Sequence, residues 1–559
     1  MKKKVLALSI AAMIGGVAHA GVAIEVAAQA AAAANANVAV DATAATNLTI
    51  NTDGIGHFLM VPYFSTNNGN ATLLSVVNTD TVRGKAVKVR FRSAANSDDI
   101  FDFQVYMSPG DVWTAKVSRA ADGRSQMETP DKSCTLPFSI NQPFITDRLP
   151  ASADTATKAA WTREGYVEIF NMADIIDDTT VTNDLFTAIK HVNGVAPCSS
   201  AAFAWSKLQT DVETGVGNAW DLASNRINFR APTTGLLGGW TIINVEGASV
   251  AWSGNMTAVT AVNGAAASTG RIVFSPQMAT AAATPDNFTS DPLLRTTTVA
   301  TTEALSNRGE VHGAINAAGT AVLTAANFDL PDVSTPYLTT VALDTATLGA
   351  IAGQANTFPV AQANMVSGAL AVTSVVNEYL TDTAITAATD WTFSMPTRRY
   401  GVAVNYASAS ANKRVYTKGN QYFRTGNTTF SGNLVCVAAS TLTSRDREEQ
   451  FPAAGFVISP GTPSALEFCG EASVLSFNST NVLGASVATK NIDATYRDGW
   501  LSVATPGVGA FAGAGTLGVD AATRGGLPIL GSSFIKATGP AVAGKSTNFG
   551  LTNGHRNTR

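Results

Sequence analysis

Residues 85–92 read KAVKVRFR, in which Val87, Val89 and Phe91 alternate with Lys88, Arg90 and Arg92. A repeat of two belongs to a β-strand, because successive side chains leave opposite faces of the pleat. The pattern therefore predicts a strand with one buried face and one wet face. Phe101, Phe103, Val105 and Met107 alternate in the same way, and Pro109, Gly110 and Asp111 supply a turn after them. Short β-branched and aromatic runs recur at 57–64, 71–77, 165–170, 240–245, 271–274, 391–395, 400–406, 433–437, 455–458 and 474–477. Polar turn clusters such as Asn67, Asn68, Gly69 and Asn70 divide them. Strands at this spacing predict a mainly β protein of two or three antiparallel β-sandwich-like domains. Helices are few, with short ones expected at 150–163 and 364–379.

The first twenty residues read as an export signal, a signal peptide. Lys2, Lys3 and Lys4 form its charged start, residues 5–17 its apolar stretch, and Ala18, His19 and Ala20 a small-x-small cleavage site. Cleavage removes three of the 37 Lys and Arg residues, so 34 remain against 41 Asp and Glu, a net charge of −7. Charged residues make up only 14 % of the chain, where about 25 % is ordinary. Nothing is basic enough for a nucleic-acid binder, which needs clustered Lys and Arg against phosphate. No later stretch has the length and apolarity of a transmembrane helix. Few charges beside 45 % hydrophobic residues predict that the protein buries surface against copies of itself.

Residues 21–48 form an Ala-rich spacer or arm. A β-sandwich region is expected over 49–290, an Ala/Thr-rich, loop-rich region over 291–390, and a C-terminal β-sandwich domain over 391–559. Four cysteines, Cys134, Cys198, Cys436 and Cys469, read as disulfides in an exported chain. Of the three possible pairings the local one is expected, Cys134 with Cys198 and Cys436 with Cys469. The chain-entropy model gives each about 3.5–4.5 kcal/mol. No C-x-x-C spacing supports a zinc site.

The sharpest motif is Gly539 to Ser546, GPAVAGKS, which matches the phosphate-binding pattern G-x-x-x-x-G-K-S. Such a loop needs a helix after it, and the residues that follow, two glycines among thirteen, cannot make one. A turn is therefore expected there. The GAGTLG run from Gly513 lacks the βαβ surroundings of a dinucleotide site. Hydrolase motifs are missing, and His57, His191, His312 and His555 each stand alone in sequence. Two acidic groups stand out: Asp98, Asp99 and Asp102 before a strand, and Asp174, Asp177, Asp178 and Asp184 in a polar loop. Calcium takes six to eight oxygens from such loops, so calcium is the cation these residues suggest, although neither group has a known calcium-loop spacing and solvated turns are the simpler reading. The dense run Arg445, Asp446, Arg447, Glu448 and Glu449 suggests either a solvated turn or an ion-pair network at an interface.

Several segments resemble a group of exported, β-rich surface proteins of Gram-negative bacteria, among them cell-surface and S-layer proteins. They are VPYFST with VVNTD, VRFRSAANSDDIFDFQVYMSPGDVWTA, GGWTIINVEGASVAWSGNMTAV, NEYLTDTAITAATDWTFSMPTRR, DREEQ and GLPILGSSF. They spread over most of the chain and look like strand and turn scaffolding. The resemblance brings no catalytic residues with it, and it casts the Cys436 and Cys469 pair around DREEQ as structural. The expectation is therefore a non-catalytic, self-assembling S-layer-type subunit outside the outer membrane. Its partners would be copies of itself and an outer-membrane surface component for attachment. A surface adhesin or carbohydrate-binding protein is the alternative, which Trp113, Trp205, Trp220 and Trp252 would support if exposed. An outer-membrane barrel ranks lower, because the chain ends on Arg559 and not on an aromatic residue.

Overall fold

The computed structural model describes most of residues 45–270 and 366–558, with the short strand Phe328–Asp329 between them. Within these spans, 178–184, 199–228, 245–249, 414–421, 450–465, 506–525 and several shorter breaks lie outside the description. So do the expected leader, the tract up to residue 44, and the strands expected at 271–274 and 455–458.

The alternating runs become strands. Gly84–Ser93 pairs on one side with Asp99–Met107 and on the other with Glu164–Ile175, and Phe58–Ser65, Thr257–Asn263 and Asn47–Asn51 extend the sheet. A second antiparallel sheet runs Val250–Asn255, Leu236–Asn244, Asn70–Asn78, Val112–Arg119 and Ser125–Glu128. The inner faces meet in one core, where Val87, Val89, Phe91 and Phe103 pack with Leu74, Val76, Trp113 and Trp240. Phe144 fills the middle, its ring stacked on Phe101 at 4.8 Å and 5.0 Å from Phe91. The result is a sandwich built on period-two faces.

A second pair of sheets follows. Ala388–Ser394 lies between Ala472–Phe477 and Ser532–Val542, and Lys545–Gly554 forms the outer strand. Thr489–Ile492 joins Ala472–Phe477 in parallel, a departure from the antiparallel rule. The facing sheet is Leu442–Asp446, Asp498–Ala504, Ser374–Leu380 and Arg556–Thr558. Tyr379 of this sheet stacks on Phe477 of the other at 4.8 Å. Every sheet among the described residues is open, so none closes into a barrel.

The two sandwiches share side chains. Phe534 enters the first core, 5.7 Å from Trp240, 6.2 Å from Trp252 and 6.5 Å from Tyr63. The Trp252 indole N–H donates to the Ile535 carbonyl at 2.9 Å.

Three sequence expectations change. The helix expected at 150–163 shortens to Thr155–Trp161, with the Asp154 carboxylate capping the Thr157 N–H at 2.7 Å. The helix expected at 364–379 survives only over 366–370, and Ser374–Leu380 is a strand. Its buried Val375, Asn377 and Tyr379 alternate, and it finds a partner in Asp498–Ala504, so sheet pairing overrides helix propensity. The strand expected at 400–406 reduces to Val404–Asn405, because a 3-10 turn at Arg398–Tyr400 bends the chain first.

The local disulfides are present. Cys134 and Cys198 close 64 residues of chain, and Cys436 and Cys469 close 33. The second pair lies directly across adjacent strands. The GPAVAGKS segment is a β-hairpin in which Gly539 pairs with Thr547 and Val542 with Lys545. A strand stands where a phosphate-binding loop would need a helix.

Candidate functional site

The face of Gly84–Ser93 expected to be wet is buried: Lys88, Arg90 and Arg92 are at most 2 % exposed. Alternation separates the two faces but does not reveal what covers each one. Burial of cations demands compensation. The Lys88 ammonium lies 2.8 Å from Asp102, the Arg90 guanidinium 3.9 Å from the same carboxylate, and Arg92 donates to Glu168 at 3.1 Å. Arg90 also lies over the Phe170 ring at 5.9 Å.

The bend 94–98 that joins Gly84–Ser93 to Asp99–Met107 carries this polar layer to the C-terminal half. Asn96 donates to the Asn433 carbonyl at 2.7 Å and to the Tyr406 hydroxyl at 3.1 Å. Tyr406 in turn donates to Asp98 at 2.8 Å. Ser97 adopts a left-handed φ of 68° and its carbonyl accepts from Arg399. Arg398 and Glu471 form a fully buried ion pair beside it. The Glu471 N–H closes the junction by donating to the Ala94 carbonyl at 2.8 Å.

A second junction uses two carboxylates and the loop 479–488. Glu164 accepts the Ser486 and Val487 N–H groups, each at 2.8 Å, and the Tyr63 hydroxyl at 2.6 Å. Asp390 accepts the Leu483 N–H at 2.9 Å and the Ser476 hydroxyl at 2.5 Å. Leu483 itself is buried in the first core. Burial raises Asp390 to about 6, against the pull of its hydrogen bonds. Burial also pushes the Tyr63 hydroxyl well up, with the Glu164 charge adding to it.

The acidic groups singled out in the sequence are divided. Asp98, Asp99 and Asp102 are together and buried, and Asp98 and Asp102 are held by the hydroxyl and cations just described. Asp174 is buried on another part of the sheet, 2.7 Å from the Lys85 ammonium and 2.8 Å from the Asn171 amide. Asp177 is exposed just past the strand Glu164–Ile175, and Asp178 and Asp184 lie outside the described residues. Cys436, Glu467 and Cys469 also cluster, but the two sulfurs are bonded to each other and offer no thiolate. Of the mixed-sign run, Arg445 and Asp446 end the strand Leu442–Asp446, and Arg447, Glu448 and Glu449 follow as an exposed turn, with Arg447 3.5 Å from Asp498.

The histidines do not converge. Burial and the neighbouring Lys85 charge lower His57 to about 3, and its Nδ1 accepts the Ala261 N–H at 3.1 Å. Burial lowers His555 to about 4; its Nε2 faces the Thr392 carbonyl at 2.8 Å, so that nitrogen carries the proton. His191 is 3.7 Å from Asp111, and Ser133 donates to the same carboxylate at 3.2 Å. Here the carboxylate stands between serine and imidazole, whereas a nucleophilic triad needs the imidazole in the middle. His312 lies outside the described residues.

Sequence reasoning missed Glu164, Asp390, Arg398 and Glu471. The available signals were the bend 94–98, too long for a tight hairpin, and the Arg398 and Arg399 doublet. No protein-family model matches the chain, and no curated protein or solved structure is similar to it.

Proposed function

We propose that this chain is an exported structural subunit of a cell surface, self-associating in the manner of an S-layer protein and without catalytic activity. One observation carries the reading: among the described residues of this charge-poor, mainly β chain, clusters of buried ionisable side chains are turned inward to lock sheet to sheet. The Arg398 and Glu471 pair, the bend 94–98 and the Glu164 and Asp390 anchors all hold the sandwiches together. Two disulfides fit an oxidising compartment. Calcium enters as a lattice cation only on Asp177, Asp178 and Asp184 of the acidic residues in the sequence, since Asp98, Asp99, Asp102 and Asp174 are buried, and an outer-membrane component enters as the attachment point. Of the tryptophans that would favour a carbohydrate-binding adhesin, Trp113 and Trp252 are buried in the first core, and Trp205 and Trp220 lie outside the described residues.

Electron microscopy of the chain from residue 21 onward, at rising concentration with calcium or with EDTA, tests the proposal. Ordered sheets or tubes are the expected result. Their loss in EDTA supports calcium, and assembly indifferent to EDTA removes it. Persistent monomers in both buffers overturn the lattice reading, and glycan binding then becomes the next assay.

A further inference from the structure

The outer face of the second sandwich carries a tryptophan that neither core claims. In Asp498–Ala504, Leu501 and Val503 enter the second core, so Trp500 and Ser502 leave the opposite face of the sheet. Trp113, Trp240, Trp252 and Trp391 are buried, and Trp161 packs against the first core. Trp500 joins neither core and is partly exposed, and its indole N–H has no hydrogen-bond partner. A ring of this size gains much from burial, so leaving it on a wet face forgoes stability.

The register sets a charge on each side of that ring. Trp500 stands directly between Arg445 of Leu442–Asp446 and Glu378 of Ser374–Leu380. Opposed side chains are rooted about 5 Å apart, so Arg445 and Glu378 flank the indole from two strands and do not pair with each other. Glu378 is exposed, and its carboxylate has no hydrogen bond or ion pair. Arg445 donates to the Glu449 carbonyl at 3.2 Å, which steadies its position. In the next row Thr443 lies opposite Ser502, and neither hydroxyl is engaged.

We propose that this row binds a neutral pyranose ring of a polysaccharide, stacked on Trp500 and held at its two edges by Arg445 and Glu378. A pyranose has an apolar face of C–H bonds and a rim of hydroxyls. The electron-rich indole face attracts the partly positive hydrogens of those bonds. Glu378 accepts hydroxyl protons and Arg445 donates to hydroxyl oxygens, both as charge-assisted hydrogen bonds. An apolar partner would strip water from both charges and replace none of it. A simple ion would satisfy one charge and be repelled by the other. A protein partner needs a broad contact, about 800 Å² a side, with an apolar centre, and this row offers a single aromatic ring. A sugar meets all three side chains at once, and one cation with one anion suits a ring without charge. A single subunit carries the whole site, so the proposal does not rest on self-association.

Affinity electrophoresis tests it on the chain from residue 21 onward, disulfides intact, at a concentration below that at which copies associate. The native gels contain mannan, dextran or galactan, because an open row holds one ring weakly and a polymer offers many. The expected result is retardation by at least one of the three. Trp500→Ala should abolish that retardation and Glu378→Ala should cut it by about half, with melting temperatures unchanged because neither side chain belongs to a core. Unchanged mobility in all three gels overturns the proposal, as does retardation that Trp500→Ala leaves intact. If Trp500→Ala does not fold, Glu378→Ala decides in its place, and full retardation of that variant overturns the proposal. Sheets or tubes in the microscope bear on self-association alone, so the two readings fail separately.

Discussion

The two faces of the strand Gly84–Ser93 are both buried, yet they are buried in different ways. On one, Val87, Val89 and Phe91 join a core of like side chains, where non-directional burial is enough. On the other, Lys88, Arg90 and Arg92 each need a partner of defined position. The apolar face tolerates changes of detail as long as volume is kept. The charged face tolerates little, because a cation left without its carboxylate is costly. The first face builds a sandwich, and the second layer of charges fixes which sheets lie against each other.

The strongest test of this contrast removes one group from each layer. Phe91→Ala should destabilise the protein by about 3–5 kcal/mol through lost burial and a cavity. Arg398→Ala should cost a similar amount, about 3–5 kcal/mol, by taking from buried Glu471 its Arg398 ion-pair partner. Urea unfolding measures both. The layers separate in the rescue: Phe91→Leu should recover most of the loss, whereas Arg398→Met should not unless Glu471 is replaced by an apolar residue as well.

Acid should act on the polar layer alone. His555 is held at about 4 in the fold and titrates at 6.5 when unfolded. The unfolded state therefore binds more protons between those values, and stability falls as pH drops, by about 3 kcal/mol in all. His57 works in the same direction. Asp390 opposes them: its folded value of about 6 exceeds the unfolded 3.8, so it adds stability as pH falls through 6. An Asp390→Asn chain should lose stability more steeply than wild type between pH 6 and 4 in pH-dependent denaturation, and an unchanged slope would refute this assignment.

Replacing Cys436 and Cys469 by Ala should lower stability by about 2–4 kcal/mol. Thermal melts with and without reductant should show a larger loss in wild type, which gives up both bridges, than in the variant, which gives up only Cys134–Cys198. The smallest effect belongs to a charge pair that faces water. Lys116 and Glu128 are 36 % and 42 % exposed, and Lys116→Ala should shift stability by no more than about 1 kcal/mol. If it matched Arg398→Ala, burial would not be what separates the two classes of charge.

Local periodicity made much of this fold legible. The alternation around Phe91 and Phe101 located adjacent strands, the spacing of the cysteines suited local disulfides, and the residues after Ser546 excluded a phosphate-binding helix. The candidate site was far less legible. Lys88, Arg90 and Arg92 look solvated because nothing nearby in sequence says otherwise. The residues that complete the polar layer, Arg398, Tyr406 and Glu471, lie some three hundred or more positions further along. Ser374–Leu380 reads as the end of a helix for the same reason, since the strand that pairs with it, Asp498–Ala504, is distant in sequence.

The insertion of Phe534 among Tyr63, Trp240 and Trp252 bears on how the chain matures. The amino-terminal sandwich is synthesised first, but its interior is completed by a ring from the second sandwich, which is made later. Until then three large aromatic surfaces wait without their partner, and any product that stops short keeps them open. A chain ended before Phe534 would carry a sticky defect by which quality control can recognise it.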